Sequence, residues 1–289
     1  MNKMKRFGAA ALAVALLCGG SWILVREETL HNMKMMQIRD YSPAEILGEP
    51  EDSISETTTV TASVTTVRED GETVVTGTAV TTANTEDSAP KPYLSAYKQR
   101  ALTEQAAALA DANPNAIGWL YVPDTPIDYP VMQSGDNDFY LTHTADNSYL
   151  KSGSIFLDYR YEPRFLNPTN IVYGHNMANG TMFGDIRNFK SQSYYEQHPY
   201  GWLVNSDAVY RIDFFSLAVV SAYDDLYDGS QPLGSWVQHL HDVSRFYDSI
   251  DIAEGDRLIS LSTCASDFPD ARAVLTGKLI PMNGGEDDA

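Results

Sequence analysis

Apolar positions change period near residue 113. Before it, Leu94, Tyr97, Ala101, Leu102, Ala108 and Leu109 recur at three- and four-residue intervals and predict a helix over 93–112, ending at Asn113-Pro114. After it come short β-rich runs: 118–122, 127–132, 153–158, 170–173, 200–205, 208–220, 257–263 and 272–280. Turn signals such as Pro123-Asp124, Ser134-Gly135, Asn179-Gly180 and Asp228-Gly229 separate many of them. About eight strands with few helices between them predict a mainly β fold, a closed or nearly closed barrel. Two helical insertions interrupt it. Residues 182–190 carry Met182, Phe183, Ile186 and Phe189 behind a Thr181 cap, and 233–247 carry Leu233, Trp236, Val237, Leu240, Val243 and Tyr247 as an amphipathic stripe packed on the barrel.

Upstream the pattern is different in kind. Residues 7–25 are uninterrupted and apolar, preceded by Lys3, Lys5 and Arg6 and followed by Arg26-Glu27-Glu28. About 19 residues just cross a bilayer core, and the basic flank keeps the N-terminus cytoplasmic. A cleavable signal peptide is the competing reading. No clean small-residue cleavage site follows, which favours a retained anchor, with Cys18 an ordinary residue inside it. Residues 28–49 are mixed, with a short helix around Met33 to Ile38. Residues 50–90 are rich in Thr, Glu, Ser and Val, without aromatic residues, and read as an extended stalk. The Thr-Val alternation at 57–67 and 73–82 fits edge strands as the alternative. The expected organisation is a cytoplasmic n-region (1–6), an anchor (7–25), a juxtamembrane segment and stalk (26–90), a folded domain (91–282) and an acidic tail (283–289).

The formal net charge of −19 argues against a phosphate-binding surface, and so against nucleic acid as a partner. Cys264 is the only cysteine outside the apolar segment, which excludes a disulfide within the domain. A free cysteine is commonly a small buried apolar residue. This one ends the strand 257–263, faces a polar turn and has Arg272 opening the next strand, which is equally the setting of a nucleophile. Such a thiol needs a base or a positive neighbour.

Of six histidines, His31 lies outside the domain, and His239 and His241 sit two apart on a helix and point different ways. His198 precedes a proline in a polar connection, and His143 lies in a loop. His175 follows strand 170–173 through Gly174 and so stands at the barrel rim, where it meets a thiol ending another strand or is simply solvated. Asp136, Asp138 and Asp158 are scattered through loops and a strand end, and cap turns rather than bind calcium. No metal site or cofactor is expected.

These residues resemble a known family. YGHNM at 173–177, LSTC at 261–264 and ARAVLTGKL at 271–279, together with GWLYVPDTPIDYPVMQSGDNDFYL at 118–141 and GSIFLDYR at 153–160, are similar to sortases, specifically class B. The resemblance spans about Tyr93 to Met282. It implies a sortase-type eight-stranded β-barrel with an N-terminal helix and a long helix inserted between late strands.

It further implies a cysteine transpeptidase with Cys264 as nucleophile, His175 as acid/base partner and Arg272 as the cation orienting substrate and stabilising the oxyanion. By position Asn137, Tyr173 and Ser262 resemble residues lining the class B peptide groove. The implied reaction cleaves a C-terminal sorting signal, NPxTN-like or PxTG-like, after Thr and passes the acyl group to a peptidoglycan amine. Surface proteins bearing that signal are then the partners, and the chain is a single-pass membrane protein with its catalytic domain outside a Gram-positive cell. Ala265-Ser266 follow the cysteine where many class B members have an acidic residue, so a contact to signal or acceptor differs here.

Three other readings remain. A pilin polymerase uses a subunit lysine as acceptor. An L,D-transpeptidase would carry glycine before the cysteine and arginine almost directly after it, where this chain has Thr263 and, eight positions on, Arg272. A non-catalytic cell-wall adaptor leaves Cys264 inert.

Overall fold

A computed structural model describes residues 41–47, 60–67, 73–81 and 94–282. In chain order the elements are helix α1 (Ala44–Leu47), strands β1 (Val60–Val67) and β2 (Thr73–Thr81), helix α2 (Ala96–Ala112), β3 (Ala116–Tyr121), β4 (Asp128–Met132), β5 (Ile155–Leu157) and β6 (Thr169–Tyr173). Then follow α3 (Gln192–Gln197), β7 (Tyr200–Val204), β8 (Val209–Ser221), α4 (Leu233–Val243), β9 (Ser244–Tyr247), β10 (Leu258–Cys264) and β11 (Ala271–Pro281).

Eight strands close the barrel in the order β11-β10-β6-β5-β4-β3-β7-β8, with β8 pairing back onto β11 from Ala271↔Ser221 to Pro281↔Tyr210. They are the eight runs expected from the sequence. Closure leaves no free edge among them. β9 extends β8 on the outside through Ser216↔Tyr247 and Leu217↔Phe246. Leu120, Val131, Leu157, Val172, Leu203, Ile212, Ile259, Leu261 and Leu275 fill the interior. Outside the wall, α4 seals Phe215, Ala218, Val220, Leu258 and Val274 with Trp236 and Leu240. α2 covers the opposite side through Leu102 and Ala106 on Trp202 and Val204, and through Leu109 on Trp119 and Met132.

Local chemistry explains where element limits depart from the sequence pattern. α2 starts at Ala96 because Ser95 accepts from the Lys98 N–H as its cap. Residues 184–190 form a 3₁₀ segment, not an α-helix, and Thr181 bonds to Asn179 instead of capping it. Phe183, Ile186 and Phe189, all buried, repeat at three residues, which matches three residues per turn. α4 ends at Val243, since Ser244 turns the chain out to pair with β8 and its hydroxyl meets Ser216.

The stalk expected at 26–90 holds more structure than a plain spacer. β1 and β2 make an antiparallel hairpin, a sheet separate from the barrel. Residues 41–47 pack on the domain: Ser42 donates to Asp128, which also accepts from Trp119 Nε1 at 2.7 Å, and Leu47 joins Leu94, Leu102 and Trp202. Among the described residues no helix is long and apolar enough to cross a membrane. The apolar run 7–25, the short helix expected near 33–38 and the acidic tail lie outside the described residues.

Candidate active site

Three neighbouring strands bring His175, Cys264 and Arg272 into one row. β6 and β10 run parallel with Tyr173 opposite Ser262, and β10 and β11 run antiparallel with Cys264 opposite Arg272. Carrying the parallel register two residues further sets His175 beside Cys264. The bonds at that end agree: the Gly174 N–H donates to the Ser262 carbonyl at 3.2 Å, the Thr263 hydroxyl to the Gly174 carbonyl at 2.7 Å, and Asn176 Nδ2 to the Cys264 carbonyl at 2.8 Å.

Strand alternation then fixes the face. Ile259 and Leu261 point into the barrel, so Ser262 and Cys264, two apart, share the outer face and its end. Cys264 is exposed, not a buried apolar residue, and is the free thiol of the described chain.

The imidazole of His175 is held by its far nitrogen. Nε2 lies 2.8 Å from the Leu141 carbonyl. A carbonyl only accepts, so Nε2 carries a proton and Nδ1 is left as the nitrogen that exchanges one. Leu141 belongs to the 3₁₀ turn Phe139–Leu141 after β4, whose N–H groups at 138 and 139 are capped by Asp136. Those two backbone bonds keep the Asp136 carboxyl below its ordinary value. Arg272 rests with Nη1 on the carbonyls of Ala271 at 3.0 Å and Asp270 at 3.4 Å.

Asn137, Tyr173 and Ser262 are brought together indirectly, through Asp158, which the sequence showed only as a turn cap, and Tyr227, which sequence reasoning missed. The first is Asp158, fully buried after β5. It takes Arg160 in a fork at 2.9 and 2.7 Å and the Tyr173 hydroxyl at 3.0 Å, while Asn137 accepts from the neighbouring Tyr159 N–H. Burial pushes the Asp158 carboxyl up, but the Arg160 guanidinium and backbone N–H outweigh it and hold it below the usual carboxylate range.

The second is Tyr227, from the 3₁₀ turn Asp225–Tyr227 between β8 and α4. Its hydroxyl bonds Ser262 at 2.8 Å, its ring stacks on Tyr173 with centroids 6.4 Å apart, and its carbonyl accepts from Arg160. Burial pushes the phenol up to about 12, so it stays neutral; the Ser262 hydrogen bond and then the nearby charge of Arg272 act the other way. α4 holds this turn through Trp236 Nε1 on the Leu226 carbonyl at 3.0 Å and His239 on Asp224 at 2.8 Å. Their only sequence signal was aromatic and acidic character in a loop, shared with many others.

The other described histidines are engaged elsewhere. His143 stacks on Phe139, His198 on Tyr194, and His241 lies against Asp242. A cysteine and a histidine at neighbouring strand ends, with a guanidinium across the strand pair, are groups that can serve as a nucleophile, a proton carrier and an anion-stabilising fork.

The chain is similar to known proteins over this domain. The family model described as the sortase domain matches residues 120–280. Sortase B of Listeria monocytogenes is 35% identical over 180 residues, 60% of this chain and 72% of that protein, and sortase B of Staphylococcus aureus is 27% identical over 191 residues, 64% and 78%. Among solved structures, the Staphylococcus aureus sortase B–substrate complex aligns with a TM-score of 0.59 at 27% identity, covering 63% of this chain and 87% of that one. A Streptococcus pyogenes class B sortase involved in pilus biogenesis aligns with a TM-score of 0.56 at 28% identity, covering 60% and 97%.

Proposed function

The chain belongs to the sortase family, class B, a cell-envelope family of cysteine transpeptidases, and from that premise we propose that Cys264, His175 and Arg272 carry out its acyl transfer. The observation behind the assignment is the three-strand row, which sets an exposed thiol between an imidazole and a guanidinium.

The Cys264 thiolate attacks the carbonyl of the signal's Thr, forming a C–S bond. Arg272 offers its fork to the oxyanion. As the tetrahedral species collapses, the C–N bond breaks and His175 protonates the departing amine, leaving a thioester. An acceptor amine gives its proton to His175 and attacks the thioester carbonyl; the new C–N bond makes the amide product as the C–S bond breaks and frees the Cys264 thiolate. With Nε2 committed to Leu141, Nδ1 carries the proton in both directions.

Asn137, Tyr173 and Ser262 form the groove wall leading to the thiol. They are linked through Asp158 and Tyr227, so the wall is preorganised before peptide arrives. The signal is NPxTN-like or PxTG-like, and the acceptor is a peptidoglycan cross-bridge amine. The apolar run 7–25 tethers residues 91–282 to the outer face of the membrane, through a stalk that includes the β1–β2 hairpin.

A second acceptor, a pilin lysine, is favoured by the likeness to the Streptococcus pyogenes enzyme. The test is the full chain in detergent with fluorogenic NPxTN-type and PxTG-type peptides, without amine, with triglycine and with a lysine peptide. Cleavage after Thr that requires Cys264, and conversion to an amide by triglycine, support wall anchoring. Preference for the lysine peptide selects pilin assembly, and cleavage that survives Cys264→Ala overturns the assignment.

A further inference from the structure

The main-chain ladder between β6 and β10 ends one residue before the reactive pair. Its last bond runs from the Gly174 N–H to the Ser262 carbonyl. Beyond it two side chains stand in for the missing rungs: Thr263 reaches back to the Gly174 carbonyl, and Asn176 reaches across to the Cys264 carbonyl at 2.8 Å. His175 and Cys264 lie between these two clamps.

The peptide unit that follows Cys264 is thereby held at both ends, its carbonyl by Asn176 and its N–H, on Ala265, by the Ala271 carbonyl at 2.8 Å. Asn176 is itself on a fixed base. It bridges to Met182, and the preceding carbonyl, of His175, accepts from the Phe183 N–H at 3.0 Å. Its other amide atom, Oδ1, is buried and finds no partner among the described residues. A fold seldom leaves a buried acceptor unpaired, and such exceptions concentrate where a group is held for function.

We infer that Asn176 is a positioning residue for the nucleophile: its amide fixes the peptide plane behind Cys264, and with it the direction in which Sγ leaves the strand end. The inference rests on the assignment of Cys264 as nucleophile. An exposed strand end followed by a six-residue turn otherwise frays, and a small misplacement of a nucleophile is costly in rate. Because Asn176 adjoins His175, the same bond locks thiol and imidazole into one register. The residue acts through the Cys264 carbonyl, so its effect falls on turnover and not on peptide binding.

The test is steady-state cleavage of an NPxTN-type fluorogenic peptide with triglycine by the full-length chain and its Asn176→Ala and Asn176→Asp variants, alongside Tm. Loss of one neutral hydrogen bond corresponds to roughly a tenfold fall in kcat. KM should stay within about twofold and Tm within a few degrees, since the barrel core is untouched. Asn176→Asp keeps the side-chain volume but cannot donate at neutral pH, so it should lose at least as much turnover; it carries the test should the alanine variant fail to fold. Wild-type kcat in the variants, or a fall confined to KM or to Tm, overturns the inference. A wild-type chain that leaves the peptide intact while the PxTG-type peptide also survives overturns the sortase assignment beneath it, and this inference with it.

Discussion

Arg272 sits directly across the strand pair from Cys264, and its planar fork, not its charge alone, suits a developing oxyanion. Arg272→Lys should therefore lose at least about tenfold in kcat with Tm unchanged, since a point charge cannot reproduce two parallel donors; a near-wild-type rate removes the residue from the mechanism. Asp158 makes a different kind of contribution. Its carboxyl is fully buried and depressed by Arg160 against the upward push of burial, so it stabilises the fold above the ordinary carboxylate range near pH 4 and loses that contribution as pH falls through its lowered value. Asp158→Asn should cost about 2 kcal/mol at neutral pH, roughly 4–8 °C in Tm, and the gap to wild type should close in acid. A gap that persists unchanged to pH 2 contradicts the assigned charge. At this scale the placement of Cys264, His175 and Arg272 was legible because each is announced by its neighbours: a strand end, a Gly-His corner, a strand start. The Leu141 carbonyl was not, because any backbone has one; Asp158 showed only as a turn cap, because nothing local marks its bond to Tyr173, and Tyr227 did not show, because its partners Tyr173 and Ser262 lie far along the chain.

Gly174 is the element-scale counterpart of those residues. It follows β6 and begins the corner that carries His175, and a Cβ there would lie 2.4 Å from Ile155 Cδ1 and 2.7 Å from Phe183 Cδ2, both side chains buried. Gly174→Ala should cost about 1–3 kcal/mol through overpacking, and the corner must shift to relieve it. We expect kcat to fall well over tenfold while Cys264 still labels with iodoacetamide; full activity would mean that the corner is looser than its packing indicates. The eight barrel strands were readable because strand periodicity and turn residues agree run by run. The 3₁₀ segment 184–190 was not, since buried residues three apart satisfy a helical count as well. The stop of α4 at Val243 was hidden because Tyr247 continues the apolar stripe of the helix, while the pairing that captures Ser244–Tyr247 is made with β8, more than twenty residues upstream.

On the scale of the whole molecule, the site is assembled from β6, β10 and β11 at one barrel end, away from the segment that packs beside α2. Residues 41–47 bury Leu47 and pair Ser42 with Asp128, contacts no local pattern announces in so short an element. A chain beginning at Pro90 should fold and retain its kcat, but with a Tm lower by several degrees than one beginning at Tyr41, because burying a leucine is worth about 1.5–3 kcal/mol. Failure of the shorter chain to fold would make 41–89 part of the core. Passage of the acyl group through Cys264 is the step on which the proposed chemistry depends. Its most direct test is intact-protein and peptide mass spectrometry on acid-quenched mixtures of the chain with an NPxTN-type or PxTG-type peptide. The expected result is a thioester adduct of the signal up to its Thr on the fragment containing Cys264, absent in Cys264→Ala and converted to an amide by triglycine. Peptide cleavage with Cys264 unmodified at every time point would contradict it.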